Sequence, residues 1–188
     1  MTTSSGRLAP AERAALLGIA KAAVRERVAR GPAPALPESG PLAERRGAFV
    51  TLTVSGELRG CVGTFAPKGS LAATVARMAA CAATEDPRFA PIGEAELEEM
   101  DVHVSALDPR RPMRDLSDLV IGRDGVLVQL GWHRGALLPR VALEEGWDRE
   151  TFLARTCLKA GLPPDAWRDP AAKVELFSAE EFGGDTSG

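Results

Sequence analysis

Histidine and cysteine are scarce in this chain: two histidines and three cysteines among 188 residues. His103 and His133 stand thirty residues apart and have no acidic partner at ligand spacing, so no histidine metal site is expected. Cys61, Cys81 and Cys157 are odd in number and widely separated, which fits neither a disulfide framework nor a paired-thiol zinc site. They read as reduced thiols. Lysine is also rare, with only Lys21, Lys68, Lys159 and Lys173 among 23 basic residues, and at a net charge of -3 nothing resembles the basic stripe of a nucleic-acid-binding protein. The opening "MTTSSGRLAPAER" has no apolar segment followed by a small-residue cleavage site, and no later apolar run reaches bilayer length. The expectation is a soluble, cytoplasmic protein that contacts neither membrane nor nucleic acid. Phosphate-binding loops, dinucleotide fingerprints and nucleophile elbows are missing as well, so no cofactor and no metal are expected.

What is present is an ordinary globular composition, 45% apolar, in a length suited to one domain with a core, or to one domain with a small appended lobe. "APAERAALLGIAKAAVRERVARG" reads as an amphipathic helix with Leu17, Ala20, Val24 and Val28 on one stripe, Pro10 near its start and Gly31 past its end. Residues 31–45 contain Pro32, Pro34, Pro37 and Pro41 and read as an extended connection. "GAFVTLTV" alternates as a strand, and Ser55-Gly56 turns it into a hairpin. Ser70 caps a helix, "LAATVARMAACAA", with Leu71, Val75, Met78 and Ala82 inward, which ends before Pro87. "DVHVSAL" and the glycine-punctuated "VIGRDGVLVQLGWHRGALLP" read as strands. Asp148 caps a helix over "RETFLARTCLKAG", and "KVELFS" reads as a closing strand. Helices and strands lack a strand-helix-strand rhythm, so the expected class is α+β around a mostly antiparallel sheet flanked by helices, with a smaller second lobe. Residues 10–182 form the expected domain, with 1–9 and 183–188 as flexible termini.

The stretch "GELRGCVGTF", residues 56–65, has three glycines where a buried strand would carry branched side chains. Strict alternation puts Arg59, Cys61 and Gly63 on one face and Leu58, Gly60, Val62 and Thr64 on the other. On that reading the Arg59 guanidinium favours the Cys61 thiolate and the bare Gly63 leaves room for a ligand, while Gly60 and Gly63 favour a bulge that re-aims the thiol. The alternative is structural: a free cysteine is among the most buried residue types, and the glycines admit a crossing helix such as the alanine-rich 71–83 segment. Cys81 and Cys157 sit among apolar helix residues and read as core. Glu85, Asp86 and Arg88 surround Pro87 in a loop that either presents charge or simply ends a helix.

The runs "GAFVTLTVSGELRGCVGTF", "EDPRFAP" and "RGALLPRVALEEGWDRETFLARTCLKAGLPPDAW" resemble the AmmeMemoRadiSam system protein A family, with its AMMECR-type domain, across roughly residues 10–182. Val62 stands where isoleucine is usual and Ala90 where proline is frequent. The resemblance implies a two-lobed α+β domain and co-occurrence with a Memo-type protein and a radical S-adenosylmethionine enzyme, but no reaction. Its motif falls on Leu58, Arg59, Gly60, Cys61, Gly63 and Thr64, joined by Asp86, Pro87, Arg88 and Phe89. Three functions follow as expectations: an accessory or substrate-presenting protein of that system; a cysteine-dependent enzyme acting on a small anionic substrate, with Cys61 as nucleophile and Arg59 as its cation and His103 or His133 as a distant base; or a protein-protein interaction module.

Overall fold

The computed structural model describes residues 7–184. They fall into two compact units: the first runs to Leu107 and resumes at Glu180, and the second spans Asp108–Ala179.

In the first unit, helix α1 (Pro10–Ala29) precedes strands β1 (Ala48–Val54) and β2 (Glu57–Thr64), helix α2 (Leu71–Thr84) and strand β3 (Met100–Leu107). The later strand β8 (Ala179–Gly183) completes a four-stranded sheet in the order β2-β1-β3-β8. Antiparallel pairing joins β1 to both β2 and β3. Alternation sends Val50 and Leu52 of β1 and Val102 and Val104 of β3 to one face, where Leu71, Val75, Met78 and Ala82 of α2 meet them in a single apolar cluster. All four residues expected to face inward on α2 are buried. On α1 the buried stripe is Leu16, Ile19, Ala20, Ala23 and Val24, rotated from the expected one, and Leu17 and Val28 lie at its margin. The choice between these overlapping stripes belongs to the surface against which the helix packs, chiefly α2.

The second unit holds β4 (Arg111–Pro112), β5 (Gly125–Leu130), β6 (His133–Leu137), α3 (Pro139–Glu144), α4 (Arg149–Lys159) and β7 (Lys173–Phe177). Its strand order is β4-β7-β5-β6, also with antiparallel pairings. Val126, Val128 and Leu176 pack against Phe152, Leu153 and Cys157 of α4. The Asp148 carboxylate caps α4 by accepting from the Thr151 N–H at 2.8 Å. The α+β class with antiparallel sheets and flanking helices therefore holds.

The 31–45 connection is mostly extended as expected, but Pro41–Ala43 forms a turn of 3-10 helix that buries Leu42. "KVELFS" is not the last strand: β8 follows it, and the two glutamates of "AEEFG" concealed its alternation. Of the expected flexible termini, residues 1–6 and 185–188 lie outside the described residues. Leu8 is buried and its N–H donates to the Glu180 carboxylate at 2.9 Å. Among the described residues, no helix is long and apolar enough to cross a membrane.

Candidate functional site

The β1–β2 hairpin turns through Ser55 and Gly56, with φ of 50° and 81°, the left-handed pair of a two-residue type I′ turn. The register begins Val54↔Glu57 and Thr53↔Leu58, then shifts so that Leu52 faces Gly60 and Thr51 faces Cys61. Arg59 is the extra residue of a β-bulge. This corrects the strict alternation read from the sequence. Leu58, opposite Thr53, shares the open face with Cys61, whereas Gly60 and Val62 face the core beside Leu52 and Val50. The bulge turns Arg59 away from the thiol, not Cys61 out of the sheet.

The freed arginine is fully engaged. Its Nε donates to Glu96 Oε1 at 2.7 Å, its Nη2 to Glu96 Oε2 at 3.2 Å, and its Nη1 to the Ala90 carbonyl at 3.3 Å. The Gly93 N–H completes the cradle of Glu96 at 2.8 Å. The Arg59 guanidinium, helped by that N–H, holds the Glu96 carboxyl below its ordinary value.

The cation at Cys61 comes from the loop after α2. β2 is an edge strand, so the Cys61 N–H and C=O point out of the sheet. Asp86 Oδ2 accepts from that N–H at 2.8 Å, and Arg88 Nη2 donates to that C=O at 3.3 Å. Asp86 in turn accepts from Arg88 Nε at 2.9 Å, Nη2 at 2.7 Å and the main-chain N–H at 3.1 Å. Two side chains thus supply the hydrogen bonds a neighbouring strand would make. The Asp86 side chain is 3% exposed and that of Arg88 55%. Arg88's hydrogen bonds, with the N–H of Cys61, hold the Asp86 carboxyl well below the usual carboxylate range despite burial. The Arg88 guanidinium is raised chiefly by Asp86, with a smaller contribution from the Cys61 thiol beside it. It also lies 5.3 Å from the Phe89 ring centroid.

The thiol is half-buried, and Thr51 Oγ1 donates to its Sγ at 3.3 Å. Thr51 pairs with Cys61 on one side and His103 on the other, so the three form one row across the open face. At about 4.8 Å between strands, His103 stands roughly 10 Å from Cys61. His133 belongs to the second unit, where its Nδ1 lies 3.3 Å from the Ala160 carbonyl oxygen. Thr51 and Glu96 were not among the sequence candidates. A bulge-free register pairs Thr51 with Gly60, and nothing local ties Glu96 to Arg59 across 37 residues.

The glycines are packed rather than open. A Cβ on Gly60 would lie 2.0 Å from the Ala82 carbonyl oxygen of α2, and one on Gly63 would lie 2.2 Å from the Phe49 ring. The close approach of the alanine-rich helix accounts for Gly60, and the Phe49 ring, stacked edge-on against Phe65 of the same unit, fills the space expected for a ligand at Gly63. Thr64 Oγ1 accepts from the Ala66 N–H at 3.1 Å in a local turn. Of the sequence candidates, then, Cys61, Asp86, Arg88 and Phe89 come together, while Arg59 departs to Glu96. Among the described residues, no three histidine, cysteine, aspartate or glutamate side chains are grouped to hold a metal ion.

The model of the AMMECR1 family matches residues 17–182, from the middle of α1 to the end of β8. The chain belongs to the AMMECR1 family. A relative in Methanothermobacter thermautotrophicus is 44% identical over 175 residues, covering 89% of this chain and 91% of its own. Another, in Thermococcus gammatolerans, is 44% identical over 179 residues, with coverage of 89% and 87%. A crystal structure of an uncharacterised protein from Pyrococcus horikoshii superposes with a TM-score of 0.80 at 38% identity, covering 90% of each chain. The Pyrococcus horikoshii protein thus shares this fold, and the hairpin, α2 and the loop that carries Asp86 and Arg88 all lie within the span that the family matches.

The three thiols of this AMMECR1 domain differ in setting. Burial, followed by a hydrogen bond with Glu85, pushes the Cys81 thiol above its ordinary value, and burial does the same to Cys157. Cys157, fully buried, should therefore alkylate only on unfolding, after the half-buried Cys61 and Cys81. Peptide mapping after brief iodoacetamide treatment checks this; early label on Cys157 would contradict the packing of α4.

Proposed function

We propose that this AMMECR1-family protein is an accessory, substrate-presenting component, working beside a Memo-type protein and a radical S-adenosylmethionine enzyme, in which the Cys61 thiol is the group presented. The observation that carries this reading is the Asp86–Arg88 clamp. It holds the Cys61 main chain from outside the sheet while leaving the thiol half-exposed under a single donated hydrogen bond from Thr51. Such support fixes the position of one sulfur without enclosing it.

A second reading, a cysteine-dependent enzyme for a small anionic substrate, draws on Arg88. Its half-exposed guanidinium offers the anion contact that Arg59, bound to Glu96, does not. His103, on the same face, is the base this reading would use.

Cys61→Ser is the deciding variant. The hydroxyl keeps the Thr51 partner and reaches solvent, so unfolding stability should change by less than about 1 kcal/mol while output of the intact system is lost. Thermal unfolding measured beside complementation of a deletion strain reads both. Normal complementation by a folded Cys61→Ser protein would sink either role for the thiol. Arg59→Lys should instead lose the two-pronged hold on Glu96 and about 1 kcal/mol of stability, with output retained in the folded fraction.

A further inference from the structure

Trp132 is 93% exposed, far beyond any other large apolar side chain among the described residues. It occupies the second position of the two-residue turn between β5 and β6, behind the Leu130↔His133 pair, with Gly131 at φ 58°. The mount is firm. β5 is paired on both sides, His133 meets the Ala160 carbonyl, and Gly135 packs so closely on α4 that a Cβ would lie 2.6 Å from Ala160 N. An indole held out in water on such a mount forgoes the burial that a core would give it.

The collar around it is cationic. Gln129 pairs with Lys173 on one strand and Arg134 on the other, which places these three on one face a single row behind the turn. Lys159 immediately precedes Ala160, the residue that meets His133. Arg134, Lys159 and Lys173 are exposed and form no ion pair among the described residues. Arg134 and Lys173 thus flank Gln129 on one face behind this hairpin tip, with Lys159 beside the residue that meets His133, in a protein with a net charge of -3.

We infer that this tip docks a protein partner that offers an apolar pocket for the Trp132 indole with carboxylates at its rim. Exposed tryptophan flanked by arginine is the composition of an interface hot spot, and local cations complement an acidic rim. The negative charge of the molecule as a whole works against an anionic bilayer as the occupant. The inference rests on the accessory role proposed above, for it supplies the surface through which such a component would meet its partner.

Calorimetric titration of the full-length protein with the purified Memo-type protein, and separately with the radical S-adenosylmethionine enzyme, tests it. Trp132→Ala should weaken binding to one of them by about 10- to 100-fold. The double variant Arg134→Glu, Lys173→Glu should weaken it by about 10-fold at low salt, with the loss shrinking as salt rises. Because Trp132 lies in solvent, its replacement should leave thermal unfolding unchanged, which separates lost docking from lost folding. Binding by Trp132→Ala equal to that of the unaltered protein would overturn the docking surface and leave the accessory role standing. If the unaltered protein binds neither component, the accessory role falls and the docking surface with it. Co-sedimentation of the unaltered protein with phosphatidylglycerol vesicles, abolished by Trp132→Ala, would replace the protein partner with a lipid one.

Discussion

Replacing Gly60 with alanine is expected to lower unfolding stability by about 3 kcal/mol or more, among the largest effects of any single methyl group in this protein. The new Cβ would sit 2.0 Å from the Ala82 carbonyl oxygen and 2.8 Å from its carbon, both main-chain atoms of α2 that cannot rotate aside. Either β2 or the C-terminal half of α2 must move, and α2 leads within two residues into Asp86. The substitution should therefore also loosen the hold on Cys61. Gly63→Ala should cost less, because the obstacle is the Phe49 side chain, which can turn away. Gly18→Ala is the opposite case: nothing lies within 4 Å of its Cβ in the middle of α1, and it should stabilise by about 0.5–1 kcal/mol. Urea unfolding of the three variants checks the order. A Gly60→Ala protein within 1 kcal/mol of the unaltered chain would mean that α2 does not approach β2 as described.

Asp86→Ala carries the second large effect, a loss of about 2–3 kcal/mol. The carboxylate accepts the N–H groups of Cys61 and Arg88, and its removal leaves the first of these at a strand edge without an acceptor. Arg88, half-exposed, can rehydrate, so little of the loss comes from the ion pair itself. A pH dependence follows. Because folding depresses the Asp86 carboxyl, its contribution is complete above the ordinary carboxylate range near 4 and is lost as pH falls below that toward the folded value. Asp86→Asn keeps the shape but cannot titrate, so the stability gap between it and the unaltered protein should be widest at neutral pH and narrow below about pH 4. A gap constant from pH 7 to 2, measured by denaturant unfolding, would rule out Asp86 as the titrating group. Asp86→Ala uncovers the outward main chain of β2, so it should also associate through added strand pairing, visible as a rise in scattering that Asp86→Asn, whose amide oxygen still accepts from the Cys61 N–H, should not show.

Local order was legible where one rule governs a segment. The alternation of "GAFVTLTV" and the Ser55-Gly56 turn specified the hairpin, Ser70 and Asp148 marked helix starts, and the inward side of α2 followed from its 3.6-residue period. α1 was harder, because alanine at so many positions makes neighbouring stripes nearly equivalent and leaves the choice to the surface it meets. β8 escaped notice because an edge strand can carry charge on both faces, and its pairing partner β3 lies more than seventy residues away.

By itself, then, the sequence determined an α+β chain, its hairpin, its main helices, and the singling out of the 58–64 strand and the Asp86–Phe89 loop as unusual. Period, turn chemistry and composition act between near neighbours and survive in a string of letters. Only the tertiary structure decided which cation serves Cys61. A single bulge at Arg59 reversed the facing of Leu58 relative to Cys61 and sent the guanidinium to Glu96, while packing of α2 against Gly60 brought Asp86 and Arg88 to the free edge of β2. A one-residue shift of register exchanges the two faces of a strand, and the partners it then meets, Glu96, Asp86 and Arg88, lie at separations in sequence that no local pattern encodes.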